Sequence, residues 1–167
     1  AAVGETASVV LDESDGSGSG TDGINPGQIQ AGVIQSLFAT PDFGADGAGS
    51  VAYSLSATDG AATGLWLTGQ SGAANEIILV KISDTVYEGH AGGAGGTLAF
   101  RVSINGASGA VTVTQHETLE HTVDGGPGAA HDDALFLGGA AAISVVQTVT
   151  DADGDTATAT SASALSI

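Results

Sequence analysis

Three carboxylates stand two residues apart in Thr150-Asp151-Ala152-Asp153-Gly154-Asp155-Thr156. Held in one tight turn, Asp151, Asp153 and Asp155 repel one another unless they share a cation. Hard oxygen donors on a flexible loop suit Ca²⁺, whereas Mg²⁺ is less suited to an all-protein cage. The spacing is not that of an EF-hand: Thr156 stands where that loop needs Gly, and Ala162 where it needs a bidentate Glu. The bland alternative is an acidic turn that does no more than solvate itself. A second acidic group, Asp12, Glu13 and Asp15, precedes Gly16-Ser-Gly-Ser-Gly20, a linker-like composition. It offers the same chemistry and the same alternative. Asp42 with Asp46, and Asp132 with Asp133, read as self-solvating loops.

Other candidate chemistry is weaker. His116-Glu-Thr-Leu-Glu-His121 misses the H-x-x-E-H zinc pattern by one residue, and a separation of five sets its two His on opposite faces of a strand. His90 and His131 are isolated and read as exposed loop residues. Gly92-Gly-Ala-Gly-Gly-Thr97 resembles one calcium nonapeptide, but Thr97 replaces its Asp and the motif occurs once, where a β-roll needs stacked copies. Ser71 lacks the G-x-S-x-G elbow of a serine nucleophile. No enzyme is expected. Thr156, Thr158 and Thr160 share one strand face, a narrow platform for an ordered surface or simply an ordinary β-branched row. Trp66, between Leu65 and Leu67, reads as a sugar-stacking platform or as a core or edge anchor.

Charge narrows the partners. Two cations, Lys81 and Arg101, face 19 Asp plus Glu, for a net charge of -17. No basic surface exists to neutralise phosphates, so nucleic acid and anionic lipid are excluded as partners. No apolar run reaches a membrane-spanning length, no basic-apolar leader opens the sequence, and membrane insertion is not expected. The absence of Cys removes disulfides, thiol catalysis and thiolate zinc sites. A bound divalent cation is then the natural brace for an extracellular chain, since it also offsets self-repulsion.

The elements that must position these residues are strands. Large aliphatics and Phe make up 38 of 167 residues, enough for a thin core, and they alternate with period two between Gly, Asp, Asn and Ser. The pattern predicts strands at Thr6–Leu11, Ser50–Thr58, Gly64–Thr68, Glu76–Ser83, Thr97–Ile104, Ala110–Gln115, Ala140–Thr150 and Thr156–Ile167. Residues 28–38 fit either a short helix or a strand. Two hairpins stand out, one turning through Asn105-Gly-Ala-Ser-Gly109 and one through Asp151–Asp155. Ala157, Ala159, Ser161, Ser163, Leu165 and Ile167 are the inner face of the last strand. The fold class is an all-β sandwich or barrel of one domain over residues 1–167, with long acidic, Gly-rich loops.

Leu11-Asp-Glu-Ser14, Phe43-Gly-Ala-Asp-Gly-Ala-Gly-Ser-Val-Ala-Tyr-Ser-Leu55, the Phe100–Gln115 stretch ending Gly-Ala-Val-Thr-Val-Thr-Gln, and Val149-Thr-Asp-Ala-Asp-Gly-Asp-Thr-Ala157 together resemble a known family. It is the tandem repeat domain of large type I-secreted RTX adhesins of Gram-negative bacteria. The resemblance implies an Ig-like antiparallel β-sandwich, a Ca²⁺-rigidified extender at the bacterial cell surface that supports adhesion or biofilm formation beside neighbouring repeats of the same chain. With the last two strands as F and G of such a sandwich, their loop lies at the pole where the chain enters. Asp151, Asp153 and Asp155 then sit at the junction with a preceding domain, Glu5 completes their shell, residues 1–5 form the linker, and the Asp12 group marks the opposite pole. Residues 16–23 and 122–133 embellish a plain repeat, which leaves a binding module for carbohydrate or peptide as the alternative.

Overall fold

The computed structural model describes residues 26–45, 47–120, 141–161, 164 and 165. Their elements in chain order are β1 (Gly27–Ile29), α1 (Ala31–Ser36), β2 (Ser50–Ser56), β3 (Ile77–Ser83), β4 (Val86–Ala91), β5 (Thr97–Ile104), β6 (Val111–Gln115), β7 (Ser144–Thr150) and β8 (Thr156–Thr160). They form an all-β antiparallel sandwich of two sheets, one ordered β1-β6-β5-β4-β3 and one ordered β2-β7-β8. In the smaller sheet β7 lies between β2 and β8. The larger sheet is a four-strand meander, β3 to β6, with β1 added at its β6 edge.

Alternation puts the core between the sheets. Ile77, Leu79, Tyr87, Phe100, Val102, Ile104, Val111 and Val113 point inward from the larger sheet, and Tyr53, Leu55 and Val145 from the smaller one. These side chains are all buried. Gln147 is a polar member of the smaller sheet's inner face, and its amide donates to the Tyr53 hydroxyl directly across the β2–β7 ladder at 3.2 Å. The buried Tyr87 hydroxyl donates to Ala57 O and accepts from Ala57 N, so neither buried polar head is left unmade.

Residues 28–38 resolve into both readings in turn: three residues of strand, then one short helix. A six-residue helix with no side-chain N-cap is not stable by itself. It is held by Ile34, fully buried against Gly109 and Tyr53, where a Cβ at position 109 would meet both side chains. Strand β4 is absent from the sequence expectation because Gly89 interrupts it, and glycine weakens strand propensity. The structure gives the reason for Gly89. It is the register partner of Phe100, and any Cβ there would overlap the Phe100 ring.

Gly64–Thr68 is not a strand. Residues 60–65 run along the outer edge of β3, with Gly60 N bonded to Leu79 O, Leu79 N to Ala61 O, Thr63 N to Ile77 O and Ile77 N to Leu65 O. The chain then crosses to residues 118–120, where Leu67 and Leu119 make one isolated bridge. Leu65 and Leu67 are buried along this path. The apolar residues that read as a strand are therefore a closure.

Candidate metal centre

The hairpin joining β7 to β8 keeps register up to Thr150 and Thr156, which face each other, and closes with Asp151 N donating to Asp155 O at 3.0 Å. Gly154 takes φ 99°, a conformation that L side chains rarely adopt. Asp151 organises the turn: its Oδ1 accepts from Gly154 N at 3.1 Å and from Asp155 N at 2.8 Å. Asp153 Oδ1 makes a longer contact with Asp155 N at 3.4 Å. On the other side, the backbone of Gly49 packs so closely on the Thr150 and Asp151 carbonyls that no Cβ fits there. The acidic turn is thus anchored to the segment entering β2.

One carboxylate oxygen from each of Asp151, Asp153 and Asp155 lies within 4.8 Å of the others. Asp151 is partly exposed, and Asp153 and Asp155 are exposed. The carboxyl of Asp151 is held below its ordinary value, first by its hydrogen bond with Asp153 and further by the backbone N–H groups of Asp155 and Gly154, against the opposing effect of desolvation. The donor set fits a calcium ion: oxygens bound at roughly 2.3–2.6 Å to one centre stand up to about 5 Å apart. Three carboxylates would supply three ligands of the roughly six to eight that Ca²⁺ takes. No other group of three His, Asp or Glu is close enough to hold an ion among the described residues.

The remaining expected ligands, Glu5, Asp12, Glu13 and Asp15, lie outside the described residues, as do the Thr6–Leu11 strand, Asp46, His121, His131, Asp132 and Asp133. Asp42 accepts from Gly44 N at 3.0 Å, a local turn as expected. His116 is exposed in the segment after β6. His90 corrects the sequence expectation, because it is a partly buried strand residue and not an exposed loop histidine. Its Nε2 lies 2.9 Å from Glu88 Oε2 and its Nδ1 3.1 Å from Gly96 O, while Arg101 Nε is 3.8 Å from Glu88 Oε1. This small polar network spans β4 and β5 on the outer face of the larger sheet. The alternation Glu88-x-His90 beside buried Tyr87 and Ala91 was its sequence signal, masked by Gly89. Residues 92–96 form the turn between β4 and β5, with positive φ at Gly92 and Gly93. Trp66 is half-buried, and its indole N–H donates to Gly72 O at 2.9 Å.

The family model of DUF5801, a domain of unknown function, matches residues 8–162, nearly the whole chain. The chain belongs to that family. No curated relative and no solved structure matches it. The matched span of this DUF5801 domain takes in both sheets and the acidic hairpin between β7 and β8. No described helix of the DUF5801 domain is long and apolar enough to cross a membrane.

Proposed function

We propose that this DUF5801 domain is a calcium-stabilised extender of a large secreted surface adhesin, a non-enzymatic spacer that works in series with neighbouring domains. The observation that supports this reading best is the convergence of Asp151, Asp153 and Asp155 at the tip of the last hairpin. An ion there would tie the ends of β7 and β8 together and relieve local repulsion, and binding to the folded state alone stabilises it by mass action. The net charge of -17 and the lack of Cys favour the same reading, because an extracellular domain without disulfides needs another brace. The extender is preferred over a lectin-like module because Trp66 is half-buried and its N–H is already used within the chain.

Thermal melting in millimolar CaCl₂ and in chelator tests it. Calcium at about 100 times its Kd raises stability by about 2.7 kcal/mol, a rise of several degrees in Tm for a domain of this size. Asp153→Ala removes most of that rise, because Asp153 offers a carboxylate to the ion and its only backbone contact in the turn is the long one to Asp155 N. Superimposable melts with and without chelator sink the reading. A response to NaCl equal to that for CaCl₂ assigns the acidity to general salt adaptation instead.

A further inference from the structure

The sheet edges of this domain are not treated alike. In β2, the groups facing away from β7 are used: Tyr53 N donates to Gly106 O and Leu55 N to Asp84 O, so the strand is capped by the tips of the two hairpins of the other sheet. In β3, Ile77 N and Leu79 N go to residues 65 and 61, and Lys81 N goes to the Asp59 carboxylate. β1 is three residues long and leads directly into α1. These are the devices by which proteins blunt sheet edges.

Among the described residues, β8 has none of them. Asp151 N bonds Asp155 O and Ser161 N bonds Val145 O, so in the alternating antiparallel ladder the odd residues of β8 face β7. The N–H and C=O groups of Thr156, Thr158 and Thr160 therefore point away from the sheet, and among the described residues no backbone group bonds them. The strand has no charge, no Pro and no bulge, and all three Thr are exposed.

We propose that the outer edge of β8 pairs antiparallel with β8 of a second copy of this chain. Thr-Ala-Thr-Ala-Thr reads the same in both directions, so a twofold axis through Thr158 sets Thr156 opposite Thr160 and Thr158 opposite itself. Each pair then exchanges both N–H···O bonds, and like side chains meet on each face. Charge selects this orientation over a parallel one. Antiparallel pairing puts the two Asp155 residues roughly 20 Å apart at about 3.4 Å per residue, well beyond the Debye length of about 8 Å at physiological salt. Parallel pairing would set the acidic turns side by side. The ladder is short, well below the ~1,000 Å² of a stable interface, so the dimer is of the weak, concentration-dependent class. It uses backbone groups and threonines and not the carboxylates, so its failure would leave the calcium reading standing.

Sedimentation equilibrium over a concentration series tests the pairing, with the mass rising from 16.0 kDa toward twice that value. Thr158→Glu sets two carboxylates opposite each other and returns the protein to monomer without touching the core. Thr158→Pro does the same by deleting the central outward N–H, a position where an edge strand tolerates Pro. Thr158→Cys cross-links to its own copy on mild oxidation, because directly paired Cα atoms lie about 5.5 Å apart, within disulfide reach. Ala52→Cys, exposed on β2 and away from that edge, does not. A monomer up to about 1 mM, or cross-linking of Ala52→Cys as fast as Thr158→Cys, overturns the proposal. So does slow amide exchange at Thr156, Thr158 and Thr160 in a monomer, which would mean that the chain covers its own edge.

Discussion

The hairpins β5–β6 and β7–β8 solve the same turning problem with different chemistry. In the first, Asn105 Oδ1 accepts from Ala107 N and Ser108 N at 3.0 and 2.9 Å. In the second, Asp151 Oδ1 accepts from Gly154 N and Asp155 N. A neutral amide therefore suffices for the turn. Asp151 carries a charge that the turn does not need, and Asp153 and Asp155 carry two more. The strands differ in the same sense: β5 and β6 are interior strands whose inward residues are almost entirely buried, whereas β8, an edge among the described strands, is exposed at all its residues except the half-buried Ala159. One hairpin is built for packing. The other presents carboxylates and backbone groups beyond what packing requires.

Substitutions that exchange the properties of the two hairpins break or sharpen this contrast. The largest effect is expected in the core hairpin, where Phe100→Ala should cost about 3–5 kcal/mol by denaturant unfolding, through lost burial and the cavity left over Gly89. A loss below ~1 kcal/mol would mean that Phe100 is not a keystone of the packing. At the turn of the same hairpin, Asn105→Ala leaves two backbone donors without their acceptor and should cost about 1 kcal/mol.

Asp151→Asn separates geometry from charge in the other hairpin. The amide oxygen still accepts both N–H groups, so the calcium-free Tm should stay close to that of the parent while the calcium-induced rise shrinks. An unchanged calcium response would remove Asp151 from the ion site. The smallest effect is on pH dependence. Because Asp151 is held below its ordinary value in the folded state, the stability it contributes is complete above the unfolded carboxylate value and is lost as pH falls through the lower folded one. Melting curves from about pH 5 downward should therefore fall more steeply for the parent than for Asp151→Asn. Parallel curves would contradict that assignment.

Much of this was legible in the sequence. The strands at Ser50–Ser56, Ile77–Ser83, Thr97–Ile104 and Val111–Gln115 follow from alternation, because a half-buried strand needs an apolar residue at every second position. The acidic turn was legible because Asp, Gly and a two-residue spacing define both a tight turn and a ligand set. What failed, failed for tertiary reasons. Gly89 hid a strand because the signal for that strand is the Phe100 ring lying over it, more than ten residues away. Leu65 and Leu67 read as a strand, yet they line a crossing segment whose partners are residues 77–79 and 118–120. His90 read as a loop residue because its strand was not recognised.

The sequence by itself determined the local terms: the period-two pattern that makes sheets, the charge of -17 with only two cations, and the aspartates that converge in one turn, since five consecutive residues cannot place them far apart. Only the tertiary structure decided which strand edges are capped and which is bare among the described residues. Edge protection at β2 and β3 is made mostly by backbone groups of residues distant in sequence, and a backbone N–H or C=O carries no signature of its partner in the residue type. The residues that read as an ordinary threonine row are a bare edge only by virtue of the hydrogen bonds that the other described strands make around them.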